Sequence, residues 1–230
     1  MDVASLPEKA QKVLKRIRKK YKVGFEPLRV RDVELQLLQV TDLEHLLAGK
    51  DPFADVSNFP FWVKLWEASL MLADVMASTP SRSGQTLLEL GAGMGAPGLV
   101  AASKGYRVTL SDYEPHILDF QRVSAAANGL TDIDFKIIDW KSPKDMPQFD
   151  RIIGAEILFR DEFFDPLLKL FGSYLAPEGE IYIAHDVRRK SVPQFLSLAE
   201  KEYEIAVSAR KMRSEDKELT ILINRLRKRS

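Results

Sequence analysis

The chain contains no cysteine. That absence excludes disulfides, thiol nucleophiles and thiolate metal sites together. Histidine is nearly as scarce: His45, His116 and His185 lie far apart, without the spacing of metal ligands, so no metal is expected. No apolar run approaches the roughly 18 residues that a membrane helix needs. The opening residues, MDVASLPEKAQKV, lack the apolar core of a secretory signal. Internal repeats and low-complexity segments are missing as well. What remains is a chain of 230 residues, 45% hydrophobic, with a net charge of +1. It is long enough to bury a full core and fits one domain with an accessory segment. A cytoplasmic enzyme or binding protein is expected, and without a motif for a dimer face the expectation is a monomer.

The most informative stretch is LLELGAGMGAPGLVAA, Leu87 to Ala102. An apolar run ends in an acid, and a glycine-rich turn then opens a helix. Glu89, Gly91, Gly93 and Gly95 form acid-x-Gly-x-Gly-x-Gly, with Ala92 inside the turn. Glycines there let the backbone turn sharply and come close to a ligand. A dinucleotide site would read G-x-G-x-x-G, with pyrophosphate on the helix N-terminus. Gly95 comes one position early for that pattern, but Ala96 fills the position, so spacing alone leaves NAD open. Glu89 decides it: a carboxylate just before the turn suits a cationic amino-acid moiety better than pyrophosphate. S-adenosylmethionine is therefore the expected cofactor, with an ordinary ligand-free turn as the plain alternative.

Residues 8–21, EKAQKVLKRIRKKY, place apolar Ala10, Val13, Leu14, Ile17 and Tyr21 at helical spacing, with seven Lys and Arg on the other face. A basic amphipathic helix follows, closed by Gly24. Its charged face is either simply solvated or a surface for an acidic partner or nucleic acid. No aromatic residues interleave with the basic ones, which disfavours single-stranded nucleic acid. Leu28–Val40 reads as a small hairpin around Arg31-Asp32. A polar stretch with Gly49, Pro52 and Pro60 comes next. A helix is expected over 64–76, closed by Pro80 and Gly84.

From there strands at about 86–91, 106–112, 133–138, 149–155 and 179–185 alternate with helices at about 96–104, 114–127 and 162–171. This alternation predicts an α/β, Rossmann-like fold with a mostly parallel seven-stranded sheet. A helix over 193–200 and strands at 203–208 and 218–225, joined by a polar loop, give the sheet an antiparallel last strand. Residues 1–60 are thus an N-terminal helix and hairpin extension, and 61–230 the core of a single domain.

Ligands of such sheets bind beyond the carboxyl ends of the strands. Asp112 ends YRVTL, about 20 residues past the glycine turn, where an acid accepts both ribose hydroxyls, and Tyr113 then lies against the adenosine. Asp139 and Trp140 end the next strand; the acid suits an adenine amino group and the indole the base. GAEILF, Gly154 to Phe159, follows the fourth strand and puts Glu156 at the pocket mouth with Phe159 three residues on. Methyl transfer is an in-line displacement in which positioning of the nucleophile dominates. Glu156 would orient an incoming amine and the aromatic wall would exclude water. His185-Asp186, at the end of IYIA, reads as a surface pair, with a role in the pocket as the alternative.

Four strings carry a resemblance over residues from about 60 to 225. LWEASLMLA, ELGAGMGAPGL, LSDYEP and FDRIIGAEILFRDEFFDPLL together resemble methyltransferase family 16, seven-strand class I enzymes that include lysine-specific protein methyltransferases. The resemblance implies that Trp66, Gly91, Ala92, Gly93, Asp112, Trp140 and Ala155 line the cofactor site. It also implies that Glu156 begins the family's Asp-x-x-Tyr motif, which governs placement of the substrate lysine. This chain has Glu156 for Asp and Phe159 for Tyr; the lost hydroxyl is worth about 0.5–1.5 kcal/mol. A methyltransferase acting on a protein lysine is the leading expectation. A small-molecule or RNA methyltransferase on the same scaffold and a catalytically silent cofactor-binding module are the alternatives. An NAD-dependent reductase ranks last, since no Tyr-x-x-x-Lys pair accompanies the pocket.

Overall fold

The computed structural model describes residues 3–42, 60–79, 81–82, 84–214 and 217–229. Gly49, Pro52, His45 and Pro80 lie outside the described residues. The N-terminal extension consists of α1 (Glu8–Arg18) and a hairpin of β1 (Val23–Val30) and β2 (Val33–Val40). The core runs α2 (Glu67–Ser78), β3 (Thr86–Glu89), α3 (Ala96–Ser103), β4 (Arg107–Asp112), α4 (Pro115–Ala127), β5 (Ile133–Ile137) and β6 (Phe149–Ala155). It continues with α5 (Phe164–Tyr174), β7 (Leu175–Asp186), α6 (Val192–Ala199), β8 (Tyr203–Ser214) and β9 (Lys217–Lys228).

Seven strands make one sheet in the order β5-β4-β3-β6-β7-β9-β8. All neighbours are parallel except the pairs that β9 makes, so β9 is the single reversed strand. The order turns back between β3 and β6, which sets the crevice for a ligand above their carboxyl ends. Short apolar strands buried on both faces explain why this sheet is parallel. Leu87 joins a cluster with α2, α3 and the hairpin, while its neighbour Leu88 joins one with α5 and α6. A third cluster docks Leu6, Ala10, Leu14 and Ile17 of the N-terminal segment against Phe120 and Val123 of α4.

Several boundaries differ from the sequence expectation: the strand expected at 179–185 begins at Leu175, and the helix expected from 64 begins at Glu67. The hairpin begins at Val23 rather than Leu28, because Gly24 and Phe25 pair with Gln39 and Leu38 instead of forming a helix stop. The polar segment 209–217 is not a loop: β8 and β9 continue through most of it, paired from Tyr203–Lys228 to Ser214–Lys217. Arg210, Lys211 and Arg213 stand exposed on β8, the edge strand, where solvent rather than core takes them. No helix among the described residues is long and apolar enough to cross a membrane.

Candidate functional site

The turn after β3 is built on three glycines in the left-handed region, with φ of 57° at Gly91, 52° at Gly93 and 73° at Gly95. A side chain at Gly91 would also strike Trp140 and Ile157, each 3.3 Å from its Cβ. The turn is pinned from the next strand and helix. Asp112 Oδ2 accepts a hydrogen bond from the Gly93 amide at 2.8 Å, and its Oδ1 accepts from the Tyr113 amide at 2.8 Å. Gln121 of α4 donates to the Gly93 carbonyl at 2.8 Å, and Ser111 donates to the Glu89 carbonyl at 2.7 Å. Burial raises the Asp112 pKa, opposed by the amides that donate to it.

Glu89 stands apart from the cavity. It is 1% exposed, and its Oε2 accepts from the Gly98 amide in α3 at 2.8 Å. It ties β3 to the helix behind the glycine turn, so the carboxylate expected to meet a ligand's amino group is placed as an internal brace. Burial pushes its pKa up to about 8, against the hydrogen bond from Gly98 and helped by the charge of Asp112. The folded protein therefore holds a proton that the unfolded chain releases above its ordinary value of 4.5. This group's contribution to stability is complete below pH 4.5 and is lost as pH rises through about 8. Buried His185, whose pKa burial lowers, acts in the opposite direction near its ordinary value of 6.5. The difference between wild type and Glu89→Gln isolates the carboxyl. Wild type should lose stability relative to the variant, by up to about 1.4 kcal/mol per pH unit, in denaturant titrations from pH 5 to 8.5. Parallel pH profiles would show that Glu89 is ionised in the native state.

In front of the turn lies a cavity of about 780 Å³, a size typical for small-ligand sites. Gly91, Ala92, Gly93 and Gly95 form its floor, and Asp112, Tyr113, Asp139, Trp140, Trp66, Ala155, Glu156 and Phe159 line it. Every site residue expected from the sequence except Glu89 thus borders one space. Tyr113 is 64% exposed at the rim. Trp140, Phe159 and Phe163 make an aromatic wall, with ring centroids 5.4 Å apart for Trp140–Phe163 and for Phe159–Phe163. On the far side Trp66 donates to the Phe61 carbonyl at 2.8 Å, below the Lys64 ammonium 4.7 Å from its ring.

Glu156 sits at the end of β6 with φ of 57°, a left-handed conformation that is unusual for a residue with a side chain. One carboxylate oxygen accepts from the Asp186 amide at 2.8 Å, and the other is paired with the guanidinium of Arg189. Arg189, from the turn between β7 and α6, also borders the cavity. Sequence reasoning missed Arg189 and Gln121, which lie in an unremarkable basic run and mid-helix; only the fold brings Gln121 to the glycine turn and Arg189 to Glu156. Trp62, another cavity residue, was missed although FPFW just before the Trp66 helix signals an aromatic cluster.

His185 corrects the surface reading. It is 1% exposed, its Nδ1 donates to the Asp186 carbonyl at 3.0 Å, and its Nε2 accepts from Asn224 of β9 at 2.8 Å. These partners fit the neutral ring, and the pair lies outside the cavity lining.

Comparison with known proteins adds the following. The lysine methyltransferase family matches residues 56–202, more than half of the chain. Histone-arginine methyltransferase METTL23 of Mus musculus is 32% identical over 120 residues, covering 49% of this chain and 47% of that protein. Protein N-lysine methyltransferase METTL21A of Xenopus tropicalis is 28% identical over 148 residues, covering 62% of this chain and 68% of that protein. The chain spans about half the length of the mouse relative. Among solved structures, ribosomal protein L11 methylase from Lactobacillus delbrueckii subsp. bulgaricus has a TM-score of 0.56 at 22% identity, covering 72% of this chain and 81% of that one; the likeness is one of fold.

Proposed function

The chain belongs to the lysine methyltransferase family, and from that premise we propose that it methylates a lysine amine of a protein substrate, using S-adenosylmethionine. The observation that supports this reading is one cavity bordered both by the glycine cradle with Asp112 and by Glu156 with an aromatic wall. The cradle, a carboxylate for the ribose hydroxyls and Trp140 for the base fit that cofactor. When bound, it supplies an electrophilic methyl group.

The protein's own part is positioning. Glu156, fixed by the Asp186 amide, receives the ammonium end of the acceptor side chain and orients it; the nitrogen becomes a nucleophile only after releasing a proton to solvent, a loss that positive charge near the site favours. Trp140, Phe159 and Phe163 exclude water around it. The proposed partner is a protein presenting a lysine, and the exposed Lys and Arg of α1 favour acidic sequence elsewhere on that partner. The same reading takes the enzyme as a cytoplasmic monomer, which cell fractionation and light scattering check.

The direct test is incubation with methyl-labelled S-adenosylmethionine and an extract of the source cells. Label is expected on a discrete protein band, and Glu156→Ala should remove most of it while cofactor affinity stays within about threefold of wild type. Label confined to RNA or small molecules would overturn the protein acceptor. An unlabelled extract, with cofactor bound, would overturn the catalytic reading.

A further inference from the structure

Glu156 offers very little freedom to a ligand. Its backbone is left-handed, its own amide donates to the Ala184 carbonyl at 2.8 Å, and one carboxylate oxygen is held by the Asp186 amide at 2.8 Å. Its side chain is only 13% exposed. The remaining oxygen is the one paired with a cation, and that cation is Arg189, which borders the same cavity.

Arg189 is held far less firmly. Its side chain is 34% exposed, on a short turn between β7 and α6, and Glu156 is the only side chain it hydrogen-bonds among the described residues, with the Asp186 carboxylate acting on it through charge alone. The neighbouring Arg188 is anchored elsewhere, with both its Nε and a terminal nitrogen on Asp186, at 2.9 and 2.6 Å. The two arginines therefore differ: Arg188 fastens the turn, whereas Arg189 reaches back to the cavity.

We propose that Arg189 is a resident occupant of the acceptor subsite, a tethered cation that neutralises Glu156 until a substrate side chain displaces it. The inference rests on the functional reading above, in which Glu156 receives the acceptor. A mostly buried carboxylate without a counter-ion is costly; Arg189 removes that cost in the resting protein. Only a side chain that brings its own positive charge restores the balance after displacing it. Arg189 is thus a specificity residue: it admits ammonium and guanidinium groups and turns away neutral side chains of the same shape.

The test uses small cations as acceptor mimics and reads binding, not turnover. Methylguanidinium and n-butylammonium chlorides are titrated into wild type and Arg189→Ala at constant ionic strength, with thermal shift as the readout. Arg189→Ala should bind at least one of the two about tenfold or more tighter than wild type. The double variant Arg189→Ala/Glu156→Gln should lose that gain. Equal binding by wild type and Arg189→Ala would overturn the proposal and leave Arg189 a structural ion pair. Should Arg189→Ala lose its fold or its cofactor affinity, Arg189→Gln, which keeps a donor beside Glu156 without the charge, decides by the same comparison. Because no methyl transfer is needed, a protein that methylates nothing would still report on the subsite, so failure of the two readings is told apart.

Discussion

An Asp112→Ala variant is expected to bind S-adenosylmethionine at least about 100-fold more weakly than wild type while remaining folded. The carboxylate accepts from the amides of Gly93 and Tyr113, and so holds the glycine turn in the shape that the cavity floor needs. Hydrogen bonds to a charged acceptor are each worth about 1.5–3 kcal/mol. Losing the charged acceptor for two ribose hydroxyls, and leaving the cofactor to order a slackened turn as it binds, together exceed the roughly 2.7 kcal/mol that 100-fold represents. Asp112→Asn keeps one acceptor oxygen and should fall between the two. Calorimetric titration of the cofactor measures all three proteins. A loss of threefold or less in Asp112→Ala would mean that the turn keeps its shape unaided and that the ribose is held by other groups.

The second large effect concerns folding. At Gly98, in the first turn of α3, a Cβ would stand 2.3 Å from Leu110 Cδ2 and 2.6 Å from Glu89 Oε2. Leu110 and Glu89 are both buried, so neither has room to retreat. Gly98→Val must therefore push α3 off the sheet and break the bond from the Gly98 amide to Glu89. Overpacking costs about 1–3 kcal/mol, and a buried group left unsatisfied costs about 1–3 kcal/mol more. At about 2–4 °C per kcal/mol for a domain of this size, Tm should drop by roughly 10 °C, in a thermal scan of the cofactor-free protein. Gly172→Ala is the control, since a Cβ there meets nothing within 4 Å and the site is an exposed helical position. It should raise Tm slightly. A Gly98→Val protein as stable as wild type would show that the helix can slide away from β4 at little cost.

The parts of this molecule that were legible in the sequence are those where one local pattern has one physical solution. Runs such as TLLE and RVTLSD, each followed by a helical period, leave little choice but a parallel sheet. The spaced glycines leave little choice but a turn at its carboxyl edge. The ring of cavity residues followed from that geometry, because strand ends in such a sheet converge. Glu89 shows where the reasoning stops. Its place before the turn suggested a ligand, yet its direction is set by how closely Gly98 lets α3 approach. His185 failed for a similar reason: its burial depends on Asn224, 39 residues away on a strand of opposite direction. Arg189 carried no signal at all, since a basic side chain in a turn becomes informative only when a carboxylate from another strand faces it.

The hairpin of the extension shows the same dependence on distant residues, with a consequence in time rather than in space. The Leu38 amide of β2 donates to Ser124 Oγ at 2.9 Å, and Gln36 exchanges two 2.8 Å bonds with the Asn128 side chain. These partners come 86 to 92 residues later in the chain. On the ribosome the extension thus emerges well before the helix that completes its edge, and its strands must wait, half-satisfied, until α4 exists. Contacts of such long separation are slow to form. This segment can therefore dock only after a much later one has been made, and the time until α4 emerges is when its open strand edge is most exposed to association with other chains.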